Sequence, residues 1–283
     1  SYLRGARKIM PYQIPHIAKV APESYFNFSG GEVHTNLISP EVHAPIVVSD
    51  YSMDGFMALA QYVQMIRRYK PRHEIKVVYP YLPYARQDRW ITQGQPFSLK
   101  IFADMLNALQ LDSVTIFDPH SDVAPALINN CRVVEQWRIA PYCIPHEILV
   151  DPDMMFVSPD AGAFKKISKL ITNDRRICIG TKHRGDGGEI TGTNIYSPIE
   201  LHGRDCVIID DICDGGRTFI ELAKALKLKG ARNLYLYVTH GIFSKGFGEL
   251  GPYFAGIYTT DSMPGPESVP DNLHITRINY ADY

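Results

Sequence analysis

Apolar positions along this chain follow two alternating periods. Short runs rich in β-branched and aromatic residues, A-P-I-V-V at 44–48, E-I-K-V-V-Y at 74–79 and S-V-T-I-F at 113–117, predict strands. Between them, 55–69 and 98–109 carry apolar residues at helical spacing. The first of these ends in basic residues ahead of Pro71, a helix stop, and Ser98 stands where the second would take an N-cap. The pattern then repeats, with strands at 154–157, 177–181, 207–209 and 233–238 and helices at 163–172 and 219–229. Such alternation predicts βαβ units and parallel sheets. The two series have comparable length and predict two similar halves that meet near 140–145. Two stretches break the pattern. Residues 185–196 (G-D-G-G-E-I-T-G-T-N-I-Y) are rich in glycine and read as a mobile loop, and 261–272 (D-S-M-P-G-P-E-S-V-P-D-N) are rich in proline and read as a second long loop.

Composition narrows the classes. The 283 residues are 45% hydrophobic and 21% charged, an ordinary globular balance with length enough for two cores. Lys+Arg is 29 and Asp+Glu is 30, so bulk electrostatic binding of nucleic acid is not expected. No apolar run approaches the roughly 20 residues of a membrane span. The stretch S-Y-L-R-G-A-R-K-I-M has no apolar signal-peptide core, so a cytoplasmic location is expected. Cys131, Cys143, Cys178, Cys206 and Cys213 are odd in number and form no C-x-x-C pair, which argues against zinc and against a disulfide framework.

The chemistry concentrates at 207–218, V-I-I-D-D-I-C-D-G-G-R-T. Three apolar β-formers end in Asp210 and Asp211, Asp214 opens a Gly-Gly turn, and a helical pattern follows. A turn of that kind offers unpaired backbone N–H groups and a helix N-terminus to an anion. The two leading carboxylates would repel phosphate, so they suit sugar hydroxyls or a hydrated magnesium ion. Taken together, the segment suggests a phosphorylated sugar. Cys213, inside this loop, reads as a small buried hydrophobe.

The segment resembles the phosphoribosyl-pyrophosphate loop, D-D-x-x-D-T-G-G-T, of type I phosphoribosyltransferases and ribose-phosphate pyrophosphokinases. Asp210, Asp211, Asp214, Gly216 and Thr218 match, while Gly215 replaces a Thr and Arg217 a small residue. Further motifs, in family order, resemble the pyrophosphokinases, and phosphoribosyltransferases generally lack the first of them. Y-P-Y-L-P-Y-A-R-Q-D-R at 79–89 is similar to their Y-x-P-Y-A-R-Q-D, which implies ATP contacts for Arg86 and Gln87 with Asp88 in support. F-N-F-S-G-G-E-V-H at 26–34 resembles K-F-S-x-G-E, which implies adenine stacking by Phe28 and a nucleotide contact for Glu32. D-P-H-S-D at 118–122 matches D-x-H and places His120 near magnesium and the triphosphate. V-S-P-D-A-G at 157–162 is nearly identical to V-S-P-D-x-G and makes Asp160 the second metal-side residue. T-K-H-R at 181–184 matches K-x-R, which implies catalytic roles for Lys182 and Arg184. T-H-G-I-F-S at 239–244 supports the fold.

The resemblance implies an α/β protein of two similar type I phosphoribosyltransferase-like domains, each a mostly parallel sheet flanked by helices. An ATP-binding domain would span 1–141 and a sugar-phosphate domain 142–283. It implies an ATP-dependent pyrophosphokinase with magnesium as cofactor, acting on ribose 5-phosphate in nucleotide biosynthesis. Asp210, Asp211 and Asp214 would hold the sugar, and Gly215, Gly216, Arg217 and Thr218 its phosphate. The departures at Gly215 and Arg217 also suit a 5-position extended by more phosphate, such as ADP-ribose in NAD salvage, as in some phage relatives; the location would then be a host cytoplasm. A phosphoribosyltransferase and a non-catalytic regulatory homologue are the other readings. A homo-oligomer, dimer or hexamer, is expected, with neither nucleic acid nor membrane as partner.

Overall fold

A computed structural model describes residues 19–35, 45–171, 176–184, 190–266 and 268–283. The first series builds a parallel sheet. It runs from β1 (Lys19–Val20), past an antiparallel hairpin of β2 (Tyr25–Asn27) and β3 (Val33–Thr35), to β4 (Ile46–Val48), β5 (Lys76–Tyr79), β6 (Ser113–Phe117) and β7 (Cys131–Val134). The strand order is β1-β4-β5-β6-β7. Crossovers are made by α1 (Met53–Tyr69), α2 (Ser98–Ala108) and α3 (Val123–Leu127). Two further helices, α4 (Gln136–Cys143) and α5 (His146–Val150), lead into the second series. That series comprises β8 (Met155–Ser158), α6 (Ala161–Leu170), β9 (Ile177–Arg184), β10 (Ile190–Tyr196), β11 (Cys206–Cys213), α7 (Arg217–Leu228), β12 (Leu234–Gly241), β13 (Gly256–Thr260) and β14 (Leu273–Thr276). Its order is β10-β9-β8-β11-β12-β13-β14, parallel except at the β10–β9 edge.

Strand alternation distributes side chains between separate cores. Val77 and Tyr79 face a cluster with α1 and α2, and Ile208 faces one with α7. Val78, Val207 and Ile209 point the other way, into a third cluster shared by both sheets. Phe117 and Val134 from the first sheet, Phe156 and Tyr237 from the second, and Ile139, Ala140 and Cys143 of α4 all belong to it. Strands covered on both faces read as continuous apolar runs, which is why 207–209 stood out. In the stretch expected at the junction, 140–145, Ala140, Cys143 and Ile144 are therefore packed inside a core common to both halves, while Pro141 and Tyr142 are exposed.

Several local expectations change. Ser98 is the first residue of α2 and Phe97 its cap; the Leu99 amide is instead taken by the Gln87 carbonyl, 3.2 Å away, so no side-chain cap is needed there. Asp160 does cap α6, accepting from the Ala163 amide at 3.0 Å. Within the glycine-rich stretch, Ile190–Tyr196 is not a loop: it pairs with β9 as an edge strand. Residues 185–189, Ala44 and Thr172 lie outside the described residues. The strand read at 207–209 continues through both acids to Cys213, and β13 and β14 were not predicted. No described helix is long and apolar enough to cross a membrane.

Candidate active site

The carboxyl ends of both sheets face one cavity of about 820 Å³. Parallel sheets bind ligands at that end. From the second half come Asp160, Asp210, Asp211, Asp214, Gly215, Gly216, Arg217 and Thr218; from the first come Arg86 and His120. Arg86 and Asp214, 128 positions apart in sequence, thus meet at one cavity.

The glycine turn is built from backbone. Gly216 has φ +79°, a left-handed conformation that glycine adopts without steric cost, and it precedes the first turn of α7 with no side-chain cap. A side chain at Gly215 would place its Cβ 3.6 Å from Lys245 Cγ, an ordinary contact. The stem of Lys245 thus borders the space where related loops carry a threonine. Asp214 accepts from Ser244 Oγ at 2.6 Å and from Arg86 Nη1 at 3.0 Å. These two hydrogen bonds hold its carboxyl below the ordinary range, and the second one joins the halves.

The other wall is a buried polar network. Asp118 is almost fully buried and has φ +36°. Its Oδ1 accepts from Lys166 Nζ at 2.8 Å, and its Oδ2 from Gln136 Nε2 at 2.9 Å and Thr239 Oγ1 at 2.6 Å. Lys166 also donates to Pro119 O at 2.9 Å and to Asp211 Oδ2 at 3.3 Å. His120 Nδ1 lies 2.8 Å from the same Asp211 oxygen. Burial alone would push the Asp211 carboxyl up; the His120 hydrogen bond and the Lys166 charge outweigh it and hold the group well below the usual carboxylate range. His120 is shifted up, chiefly by that hydrogen bond, against the opposing effect of burial. Asp210 goes the other way: burial and the charge of Asp211, with a further contribution from Asp160, push it well above the ordinary value.

That crowding of acids is what a cation relieves. Asp160, Asp210 and the His120 ring bring oxygen and nitrogen donors to one cavity, but no described group of three or more His, Cys, Asp or Glu residues forms a metal cage. The arrangement fits magnesium, which binds through one or two carboxylates and fills its shell with water and substrate phosphates.

The remaining expected residues sit elsewhere. Phe28 and Glu32 lie on the β2–β3 hairpin and its turn, outside the cavity; Phe28 is exposed and packs edge-on against Phe26, with ring centroids 5.1 Å apart. The Gln87 side chain is exposed and does not line the cavity, and Asp88 pairs with Arg89 rather than Arg86. Lys182 and Arg184 lie on β9, and their side chains are outside the described residues. Cys213 is fully buried, its thiol pushed up to about 12 mainly by that burial. Sequence reading missed Lys166, Gln136 and Thr239, and also Arg89, Lys165, Lys169 and Trp137, which line the cavity. In sequence, nothing set Lys165, Lys166 and Lys169 apart within the helix read at 163–172.

Comparisons with known proteins bear on the family and the fold. Residues 21–109 match the family model described as the N-terminal domain of ribose phosphate pyrophosphokinase, and 197–250 match the phosphoribosyl synthetase-associated domain. The chain is 31% identical over 218 residues to ribose-phosphate pyrophosphokinase of Granulibacter bethesdensis, covering 76% of this chain and 69% of the relative. It is 30% identical over 261 residues to that of Mesorhizobium japonicum, covering 89% and 81%. The crystal structure of phosphoribosylpyrophosphate synthetase from Mycobacterium smegmatis superimposes with a TM-score of 0.75 at 22% identity, over 89% of this chain and 85% of that one. This last likeness concerns the fold: two α/β units with mostly parallel sheets.

Proposed function

The chain belongs to the ribose-phosphate pyrophosphokinase family, a family of pyrophosphoryl transferases, and from that premise we propose that it makes phosphoribosyl pyrophosphate and AMP from ATP and ribose 5-phosphate. The observation that carries this is the shared cavity, where Arg86 and His120 of one half face the glycine turn and carboxylates of the other. The division of labour puts ATP contacts in 1–141 and sugar-phosphate contacts in 142–283.

In the proposed step the anomeric oxygen of the sugar bonds to the β-phosphorus of ATP. The bond from that phosphorus to the α,β-bridging oxygen breaks, AMP leaves with the oxygen, and the hydroxyl proton passes to solvent. Catalysis of this kind rests on positioning and charge stabilisation. Arg217, Thr218 and the N–H groups of the glycine turn hold the 5-phosphate, and Asp210 accepts from ribose hydroxyls. Asp211 is committed through Oδ2 to His120 and Lys166, so its part is in holding that wall. Arg86 bridges the two substrates' sites through Asp214. Lys182 and Arg184 stabilise charge growing on the transferred group. Asp160 and His120 would hold magnesium, which would supply charge neutralisation for the polyphosphate. If Phe28 and Glu32 touch nucleotide, they do so from a second copy in the expected homo-oligomer, since their hairpin lies outside this cavity.

A second acceptor, ADP-ribose, is favoured by one feature. Arg217 lines the cavity and the Lys245 stem borders the turn, giving two long cations where a plain monophosphate needs fewer. Incubating the chain with magnesium, ATP and each sugar separately, and measuring AMP, tests the assignment. Sugar-dependent AMP that disappears with EDTA is the expected result. AMP from neither sugar would leave the regulatory or phosphoribosyltransferase readings standing.

A further inference from the structure

We propose that Lys166 is a positioning residue: through the carboxylate oxygen it shares with His120 it fixes that imidazole with Nδ1–H turned inward and Nε2 presented to the cavity. Lys166 Nζ donates to Asp118 Oδ1, Pro119 O and Asp211 Oδ2, so all three ammonium hydrogens have acceptors. A carboxylate oxygen that accepts from an ammonium carries no proton of its own. Asp211 Oδ2 is such an oxygen, and His120 Nδ1 lies 2.8 Å from it, so Nδ1 must be the donor. In the neutral ring the lone pair then sits on Nε2, at the opposite edge of the imidazole. His120 lines the cavity and its side chain is 42% exposed, so that edge meets whatever binds there.

The holding group is itself fixed. Lys166 is tied to Asp118, which Gln136 and Thr239 grip from α4 and β12, and Lys166 is mostly buried, with 25% of its side chain exposed. The chain of contacts Gln136/Thr239–Asp118–Lys166–Asp211–His120 thus sets one ring orientation from four elements of the fold, α4, β12, α6 and β11. Partners of this kind around a metal-facing histidine set its tautomer and ring orientation. A lysine suits the role because one ammonium can serve both carboxylates and a carbonyl at once.

The test uses the full chain, labelled with 15N, and reads imidazole two-bond correlations above the titration range of the ring; His120→Gln identifies the signals. The wild type is expected to show the Nδ1-protonated tautomer. Lys166→Met is expected to mix the tautomers and to weaken Mn2+ binding, measured with α,β-methylene-ATP and no sugar, by about tenfold or more. Lys166→Arg, which keeps charge and donors, should recover most of both. An Nε2-protonated ring in the wild type overturns the proposal, as does a folded Lys166→Met with unchanged tautomer and cation affinity. Should Lys166→Met fail to fold, the wild-type tautomer and that of Asp211→Asn, which should lose the Nδ1–H preference, still decide. The proposal rests on His120 facing the nucleotide–cation side, but its tautomer reading is independent of AMP release, so it can fail or hold separately from the assigned reaction.

Discussion

Two corners of the cavity adopt left-handed backbone, and they do so by opposite means. At Gly216, with φ +79°, the corner is a glycine, and its turn presents N–H groups. At Asp118, with φ +36°, the corner carries a side chain that three elements seize. A residue with a Cβ in this region carries a steric cost that glycine escapes. The difference follows from what each corner does. One must let a phosphate approach bare backbone; the other must anchor a lysine and, through it, a histidine. Where backbone is the tool the chain uses glycine, and where a side chain is the tool it accepts strain and offsets it with buried hydrogen bonds.

The comparison breaks most visibly at Asp118. Asp118→Gly relaxes the backbone but strips Lys166, Gln136 and Thr239 of their acceptor, so it should destabilise by about 3–5 kcal/mol. Denaturant midpoints measure this; a stabilised variant would mean that backbone strain, not the network, dominates that corner. Next come the residues of β9. Lys182→Ala and Arg184→Ala should each raise the barrier by about 3 kcal/mol while ATP affinity changes little, in a turnover assay paired with direct ATP binding. Gly216→Ala should cost about 1–2 kcal/mol of stability and weaken the sugar phosphate, seen as a raised KM for the acceptor.

Smaller effects sharpen the phosphate corner. If ADP-ribose is the acceptor, Arg217→Ala should lower its kcat/KM by about tenfold more than that of ribose 5-phosphate. Gly215→Thr fits beside Lys245 and should shift preference toward ribose 5-phosphate. Equal use of both sugars by all three proteins would show that this turn does not choose the acceptor. The smallest effect is the pH dependence of the Arg86–Asp214 tie. Asp214 is held below its ordinary value, so its stabilisation is complete above the unfolded aspartate range near pH ~3.9 and is lost as pH falls through the folded value. Both partners are largely exposed, so the stability difference between wild type and Asp214→Asn should be slight at neutral pH and vanish in acid.

Much of this was legible from the sequence, and the exceptions share a cause. Strands at 113–117 and 207–209 were readable because both faces are covered and their apolar runs are unbroken. The motif acids were readable because local spacing defines them. Lys166 was not, because its partners Asp118 and Asp211 are distant in the chain and a lysine on an amphipathic helix is usually solvated. Strand β10 hid behind the glycines of 185–188 and Gly192, although Ile190, Thr191, Thr193, Ile195 and Tyr196 favour a strand, and that strand pairs with β9. Ser98 missed its role because a carbonyl from the Y-A-R-Q loop reached the helix first.

The third core, to which both sheets contribute, has a consequence for how the chain can be taken apart. Cut between 141 and 142, it would not yield two soluble pieces. The first would present Val78, Phe117 and Val134 to water, and the second Phe156, Val207 and Tyr237, with α4 itself severed between them. Each fragment would seek the other's bare face, so co-expressed fragments should reassemble while either alone aggregates. Grafting one half from a relative would likewise require carrying over the matching wall of that core.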